Sequence, residues 1–181
     1  MASAFAHFAA GAALWPLFRT TGARRGTWVA GATLAAAPDL DVIGFHFGVA
    51  YGDLLGHRGL THSLFVAAVV GGALSFALGR ARSTARDRLQ IAAYLFLATA
   101  SHGLLDAMTT GGLGVALLAP LDNSRYFFPW RPIAVSPIGI APFFTSRGAA
   151  VLLNEAVWVG VPFLAIATLG WLLRRPATRA V

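Results

Sequence analysis

The stretch His57-Arg58-Gly59-Leu60-Thr61-His62-Ser63 packs two imidazoles, a guanidinium and two hydroxyls into seven residues at the head of an apolar run, 60–79. That run matches the roughly 20 residues needed to cross a bilayer core, so it reads as a membrane helix. Polar groups at such density beside a membrane-length segment cost several kcal/mol, about 2 or more each, unless every one finds a partner. The stretch therefore reads as a binding cluster at one end of a span.

Composition agrees with a bilayer setting: 57% of the 181 residues are hydrophobic and 12% are charged, and the mean hydropathy is +0.67. With no cysteine, disulfides, thiolate metal sites and a cysteine nucleophile are excluded. Histidine and carboxylate remain as the strong ligands for a transition metal. The net charge is +7 and all fourteen basic residues are arginine. They are scattered between apolar runs rather than gathered in one stripe, so they read as membrane flanks and no nucleic-acid partner is expected.

Outward from the opening stretch, the chain reads as an all-α polytopic protein of about five transmembrane helices, a single integral membrane domain over residues 1–181. A first helix covers 4–18 and contains His7; with no positive charge ahead of it, it does not read as a signal peptide. A second covers 27–37 and stops at Pro38-Asp39-Leu40-Asp41. The third is 60–79, with His62 in its first turn, and the fourth is 89–108, with His102 and Asp106 near its end. A Pro-rich surface loop follows over 112–148, where Tyr126, Phe127, Phe128 and Trp130 interleave with Arg125 and Arg131 in the manner of a headgroup-level segment. The last helix covers 149–173 and holds Glu155.

The arginines orient this bundle. Segments 19–25, 80–88 and 174–179 carry ten of the fourteen and fall on one face, which the positive-inside rule makes cytoplasmic. His7, Asp39, Asp41, His57, His62, His102 and Asp106 then lie at the extracytoplasmic helix ends, at one membrane depth.

His102 and Asp106 are spaced i, i+4, about 40° apart on one helix face. Gly59 should break the backbone between His57, in the loop, and His62, on the helix. Asp39 and Asp41 in an extended segment would point the same way. All seven residues are candidate ligands for a divalent metal, zinc first, with manganese or iron the alternatives. Ligands beyond four imply two ions or hydrogen-bonded supporters. The bland readings are helix–helix hydrogen bonding for His102 and Asp106, capping for Asp39 or Asp41, a structural role for His46, and snorkelling to the headgroups for Arg58. Thr61 and Ser63 read as caps or ligand supporters. Glu155 either joins the cluster or pairs with Arg147 or another loop arginine.

Pro38-Asp39-Leu40-Asp41, Gly56-His57-Arg58-Gly59-Leu60-Thr61-His62-Ser63 and Ser101-His102-Gly103-Leu104-Leu105-Asp106, with His7 ahead of them and Thr109 after, resemble the signature of the YdjM-type bacterial inner-membrane proteins. The resemblance covers core motifs over 5–135. It implies a bacterial cytoplasmic (inner) membrane location and a membrane-bound, metal-dependent hydrolase. The His-x-x-x-Asp element is also similar to one in zinc phospholipases C and P1-type nucleases.

The function these readings favour is hydrolysis of an ester or phosphoester, on a membrane lipid or lipid-linked substrate, by metal-activated water. Asp39 or Asp41 is the candidate general base and Arg58 the candidate fork for a phosphate oxygen. The alternatives are a non-catalytic scaffold with a structural metal and a small-ion transporter. A transport pathway should continue toward the cytoplasmic face, where the helices are almost free of ionisable residues.

Overall fold

The computed structural model describes residues 1–18, 25–78 and 84–174. Most of the arginines that orient the bundle, Arg19, Arg24, Arg80, Arg82, Arg175 and Arg179, lie outside them. Within the described residues the fold is all-helical, with two isolated β-bridges, Thr109 to Ile133 and Val115 to Tyr126, and no strand.

Helix α1, Ala4–Leu14, is capped by Ser3, whose hydroxyl accepts the Ala6 N–H, and tightens into a 3-10 turn at Trp15–Leu17 around Pro16. Helix α2, Arg25–Ala36, passes into a 3-10 helix, Ala37–Phe47. Its eleven residues far exceed the three or four usual for this form. Pro38 supplies a helical φ at its start, and Gly48, at φ 79°, ends it. The extended segment expected at Asp39 and Asp41 is therefore helical.

A second break differs from expectation in the same way. His62 lies not on the third helix but in a separate 3-10 turn, Leu60–His62. Ser63 is extended and its hydroxyl accepts the Val66 N–H, so α3 starts afresh as Leu64–Leu78. Helix α4, Ala85–Ala107, opens with a Thr84–Asp87 capping box. The segment after it contains the four-residue α5, Ile140–Phe143, and otherwise follows an irregular path. Ser146–Arg174 is one continuous helical rod: α6, Ser146–Glu155, a π turn, Ala156–Gly160, and α7, Val161–Arg174.

Large apolar side chains point outward all round this bundle, among them Phe5, Phe65, Phe76, Leu97, Leu153 and Leu164, while its contacts are made by small residues. A Cβ on Gly31 of α2 would lie 2.3 Å from the Tyr94 ring of α4, so only glycine lets these helices meet. The Tyr94 hydroxyl is satisfied at that crossing by donating toward the Gly11 and Trp28 carbonyls, both at 3.1 Å. Outward apolar bulk and inward small or polar groups are the arrangement of helices in lipid.

The helical segments alternate between two ends. At one lie Trp15, Arg25 and Trp28, with Arg174 donating to the Trp15 and Phe18 carbonyls. At the other lie Ser3, Asp39, His62, Asp106 and Glu155. Among the described residues, only Ser146–Arg174 is both long and apolar enough to cross a membrane unaided. Helices α1 to α3 are shorter, and α4 carries Arg86, Asp87 and Arg88 in its first turn, so the five spans read from the sequence are not established by helix length.

Candidate metal centre

Four ligand atoms converge where the 3-10 helix 37–47, the turn Leu60–His62 and the end of α4 meet. His62 Nε2 and His102 Nε2 are 2.9 Å apart. Asp39 Oδ1 lies 3.6 Å from the first and 3.3 Å from the second. Asp106 Oδ2 lies 3.7 Å and 3.9 Å from them. Tetrahedral zinc with 2.0–2.1 Å bonds requires ligand atoms roughly 3.3 Å apart, and these distances bracket that value. The side chains are 0–8% exposed, so the group is sealed from bulk water.

Hydrogen bonding on the far side of each ring favours an ion. His102 Nδ1 faces the Ala35 carbonyl at 2.7 Å, which places its proton there and leaves a lone pair on Nε2. His62 Nδ1 faces Asp41 Oδ2 at 3.2 Å and Thr61 Oγ1 at 3.0 Å, with the same result. With both Nδ1 atoms committed, the two Nε2 atoms can face each other at 2.9 Å only with a shared proton or a metal cation between them. Both oxygens of Asp39 are buried without a hydrogen bond from any described residue, a cost a metal would offset. Two imidazoles and two carboxylates suit zinc, manganese or iron.

The remaining candidates surround this core. Asp41 accepts from the Arg58 N–H at 3.2 Å and the Thr61 hydroxyl at 2.8 Å through Oδ2, and faces His57 Nδ1 at 2.7 Å through Oδ1. Burial alone would raise its carboxyl, but the bonds with His57 and His62 outweigh burial and hold it below the usual carboxylate range. Asp39 and Asp41 thus face opposite nitrogens of His62, the first toward the converging atoms and the second behind the ring. His57 is fully buried and its Nε2 takes no hydrogen bond from a described residue. Asp41, His57 and His62 form a second, overlapping group with metal-ligand spacing.

His7 stacks on His102 with ring centroids 3.7 Å apart, and its Nε2 is 3.3 Å from Asp106 Oδ1. It supports the outer oxygen of Asp106 and is not one of the four converging residues. The Ala2 N–H donates to the same oxygen at 2.7 Å.

Arg58 differs most from its expected place. It neither snorkels nor offers an open fork; it is fully buried at φ 66°. Its Nε is 3.1 Å from Asp106 Oδ2, and it donates to the Gly111 carbonyl at 2.8 Å and the Thr109 hydroxyl at 2.9 Å. Glu155 pairs with Ser3, not with an arginine, and lies outside the converging group. His46 is exposed near the end of the 3-10 helix. Arg125, expected among headgroups, instead donates to the His57, Tyr51 and Asp53 carbonyls and clamps the loop that carries His57.

The local backbone explains how these groups meet. A Cβ on Gly103 would lie 2.5 Å from the His62 carbonyl, so the glycine after His102 admits the His62 backbone against α4. The Ala35 carbonyl is freed to face His102 because α2 gives way to 3-10 geometry at Ala37. Backbone partners such as Ala2 N–H and Ala35 C=O carry no side-chain signal in the sequence. Ser3 does carry one, as a serine directly before the first apolar run.

Residues 1–177 match the family described as YdjM inner membrane protein. The chain is also 43% identical over 146 residues to the Inner membrane protein YbcI of Escherichia coli (strain K12), covering 81% of this chain and 83% of that protein. No solved structure matches it. A family match across nearly the whole length, with a relative this similar, places the protein in the inner membrane, and the chain belongs to the YdjM inner membrane protein family.

Proposed function

We propose that this protein is a multi-spanning, metal-dependent hydrolase that acts on an ester or phosphoester of a membrane lipid or lipid-linked molecule at the extracytoplasmic face. The observation that carries the reading is the convergence of Asp39 Oδ1, His62 Nε2, His102 Nε2 and Asp106 Oδ2 at the spacing of a tetrahedral site. Those four residues would hold the ion, zinc being the best fit. When bound, such an ion supplies Lewis acidity and an activated water at neutral pH. Asp39 is then a ligand rather than the base, and Asp41, already committed to Arg58, Thr61, His57 and His62, orients two imidazoles. His57 is held through Nδ1 by a carboxylate, as in a carboxylate–imidazole dyad, and takes over proton handling at Nε2. Arg58 neutralises Asp106 instead of gripping substrate.

Burial of the centre favours a second reading, in which the metal ties helix ends together without catalysis, since structural zinc sites are closed. Transport is less well supported. Among the described residues no buried carboxylate, imidazole or guanidinium lies between the cluster and Asp87 at the opposite end of α4.

The deciding experiment is metal content of detergent-purified protein by mass spectrometry, for wild type, His102→Ala and Asp106→Ala, followed by a screen of phospholipids and lipid phosphate esters. Hydrolysis that is lost together with about one zinc per chain supports the enzyme. Stoichiometric metal without hydrolysis supports the tie, and wild type without metal removes both readings.

A further inference from the structure

Glu155 is a buried ionisable group beside the cluster that the proposed reaction leaves unused. It is 3% exposed on a helix that otherwise faces outward over most of its length. Its Oε1 accepts the Ser3 N–H and its Oε2 the Ser3 hydroxyl, each at 2.5 Å. A carboxylate that takes both a backbone and a side-chain donor of one residue fixes that residue in position and rotation.

What Ser3 fixes is the metal centre's rim. One residue earlier, the Ala2 N–H donates to Asp106 Oδ1 at 2.7 Å. Three residues later, the Ala6 N–H is capped by the Ser3 hydroxyl, which sets the start of α1 and hence the height of His7. His7 in turn lies 3.3 Å from the same Oδ1 and stacks on His102. Ser136 N–H holds the Met1 carbonyl at 2.9 Å, so the turn is gripped on a third side. With Oδ1 held by Ala2 and flanked by His7, Asp106 has only Oδ2 to present to the ion.

The rod is built to keep Glu155 facing this turn. Val151, Glu155 and Val159 are its buried residues there, spaced four apart. In an uninterrupted α-helix positions four apart drift about 40° per step. The wider π turn at Ala156–Gly160 begins directly after Glu155 and offsets that drift, so Val159 stays on the face that packs on Ala2 and Ala6. Single π turns inside α-helices gather at functional sites.

We propose that Glu155 is a positioning residue for the metal centre: through Ser3 and Ala2 it fixes the rotation of the Asp106 carboxylate, and thereby the affinity and geometry of the bound ion. The inference rests on the metal reading above. Outer partners of ligating carboxylates contribute on the order of ten- to hundredfold in metal affinity, and an effect of that size is expected here.

The test uses full-length protein in detergent, titrated with cobalt(II) and followed by its visible d–d absorption. Glu155→Ala should weaken cobalt binding by about ten- to hundredfold and alter the band shape, with Ser3→Ala a smaller change in the same direction. Glu155→Gln keeps the shape and one acceptor, so it should fold and fall between wild type and Glu155→Ala. Val159→Ala thins the same packing face without touching the hydrogen bonds; it should lower the melting temperature and leave cobalt affinity and spectrum unchanged. Wild-type affinity and spectrum in Glu155→Gln and Ser3→Ala would overturn the proposal, as would an equal loss in Val159→Ala. His102→Ala separates the two levels. If it loses cobalt while the Glu155 and Ser3 variants do not, positioning alone fails; if wild type takes up no cobalt, the metal reading fails with it.

Discussion

At the scale of single residues, Arg58 does the work that the charge pattern obscures. It sits at φ 66°, a conformation unusual for a non-glycine residue, with no exposed surface. Its guanidinium faces Asp106, the Thr109 hydroxyl and the Gly111 carbonyl. Removing it would leave Asp106 buried without its counter-charge, so Arg58→Ala should destabilise the protein by about 3–5 kcal/mol. Arg58→Lys keeps the charge but not the planar fork and should recover only part of that loss. Thermal unfolding in detergent measures both; an unchanged melting temperature in Arg58→Ala would show that Asp106 does not depend on it. Asp41 makes a separate prediction, because it touches the proposed metal ligands only through His62. Asp41→Asn should reduce metal affinity by about ten- to hundredfold while the four ligands remain in place, as read by a competitive zinc titration.

The helices are where the sequence was most legible. Apolar runs bounded by Pro38 and the arginines placed α1 to α4 and the final rod within about four residues of their observed limits, and the i, i+4 pair His102 and Asp106 follows from helix periodicity alone. What the sequence did not reveal is what depends on neighbours. An eleven-residue 3-10 helix has no separate hydrophobic signature, and its geometry turns Asp39 and Asp41 to different sides of His62. The Glu155–Ser3 pair spans 152 positions, and no local pattern links them. Since the four proposed ligands join three separate segments, metal should stabilise the ends of these elements as a unit. Chelator should therefore lower the melting temperature, and zinc at a thousandfold above its Kd should restore about 4 kcal/mol. A melting temperature indifferent to chelator would mean that these segments hold together without an ion. The α2–α4 crossing offers a contrasting case, since Gly31→Ala drives a methyl to 2.3 Å from the Tyr94 ring. Overpacking of this kind costs about 1–3 kcal/mol and should lower the melting temperature with or without zinc, leaving metal content unchanged.

For the molecule as a whole, the remaining question is which side of the membrane the centre faces. The helical segments alternate between an end built from Trp15, Arg25 and Arg174 and an end built from the His/Asp cluster, so the two ends should lie on opposite faces. We propose, from the excess of arginine in 19–25, 80–88 and 174–179 and the positive-inside rule, that the first end faces the cytoplasm. The absence of native cysteine makes this directly measurable, because one introduced thiol is then the sole site for a maleimide. Asn123→Cys lies in the exposed loop two residues before Arg125, on the side of the cluster, and Arg86→Cys lies in the exposed first turn of α4 at the other end. A membrane-impermeant maleimide should label Asn123→Cys in spheroplasts and reach Arg86→Cys only after the membrane is permeabilised. The opposite pattern would put the cluster on the cytoplasmic side, remove an outer-leaflet lipid as substrate and direct the hydrolase screen to molecules of the inner leaflet. Labelling of both thiols without permeabilisation would mean that the two ends share a face, which an alternating bundle with Ser146–Arg174 as a full span does not permit.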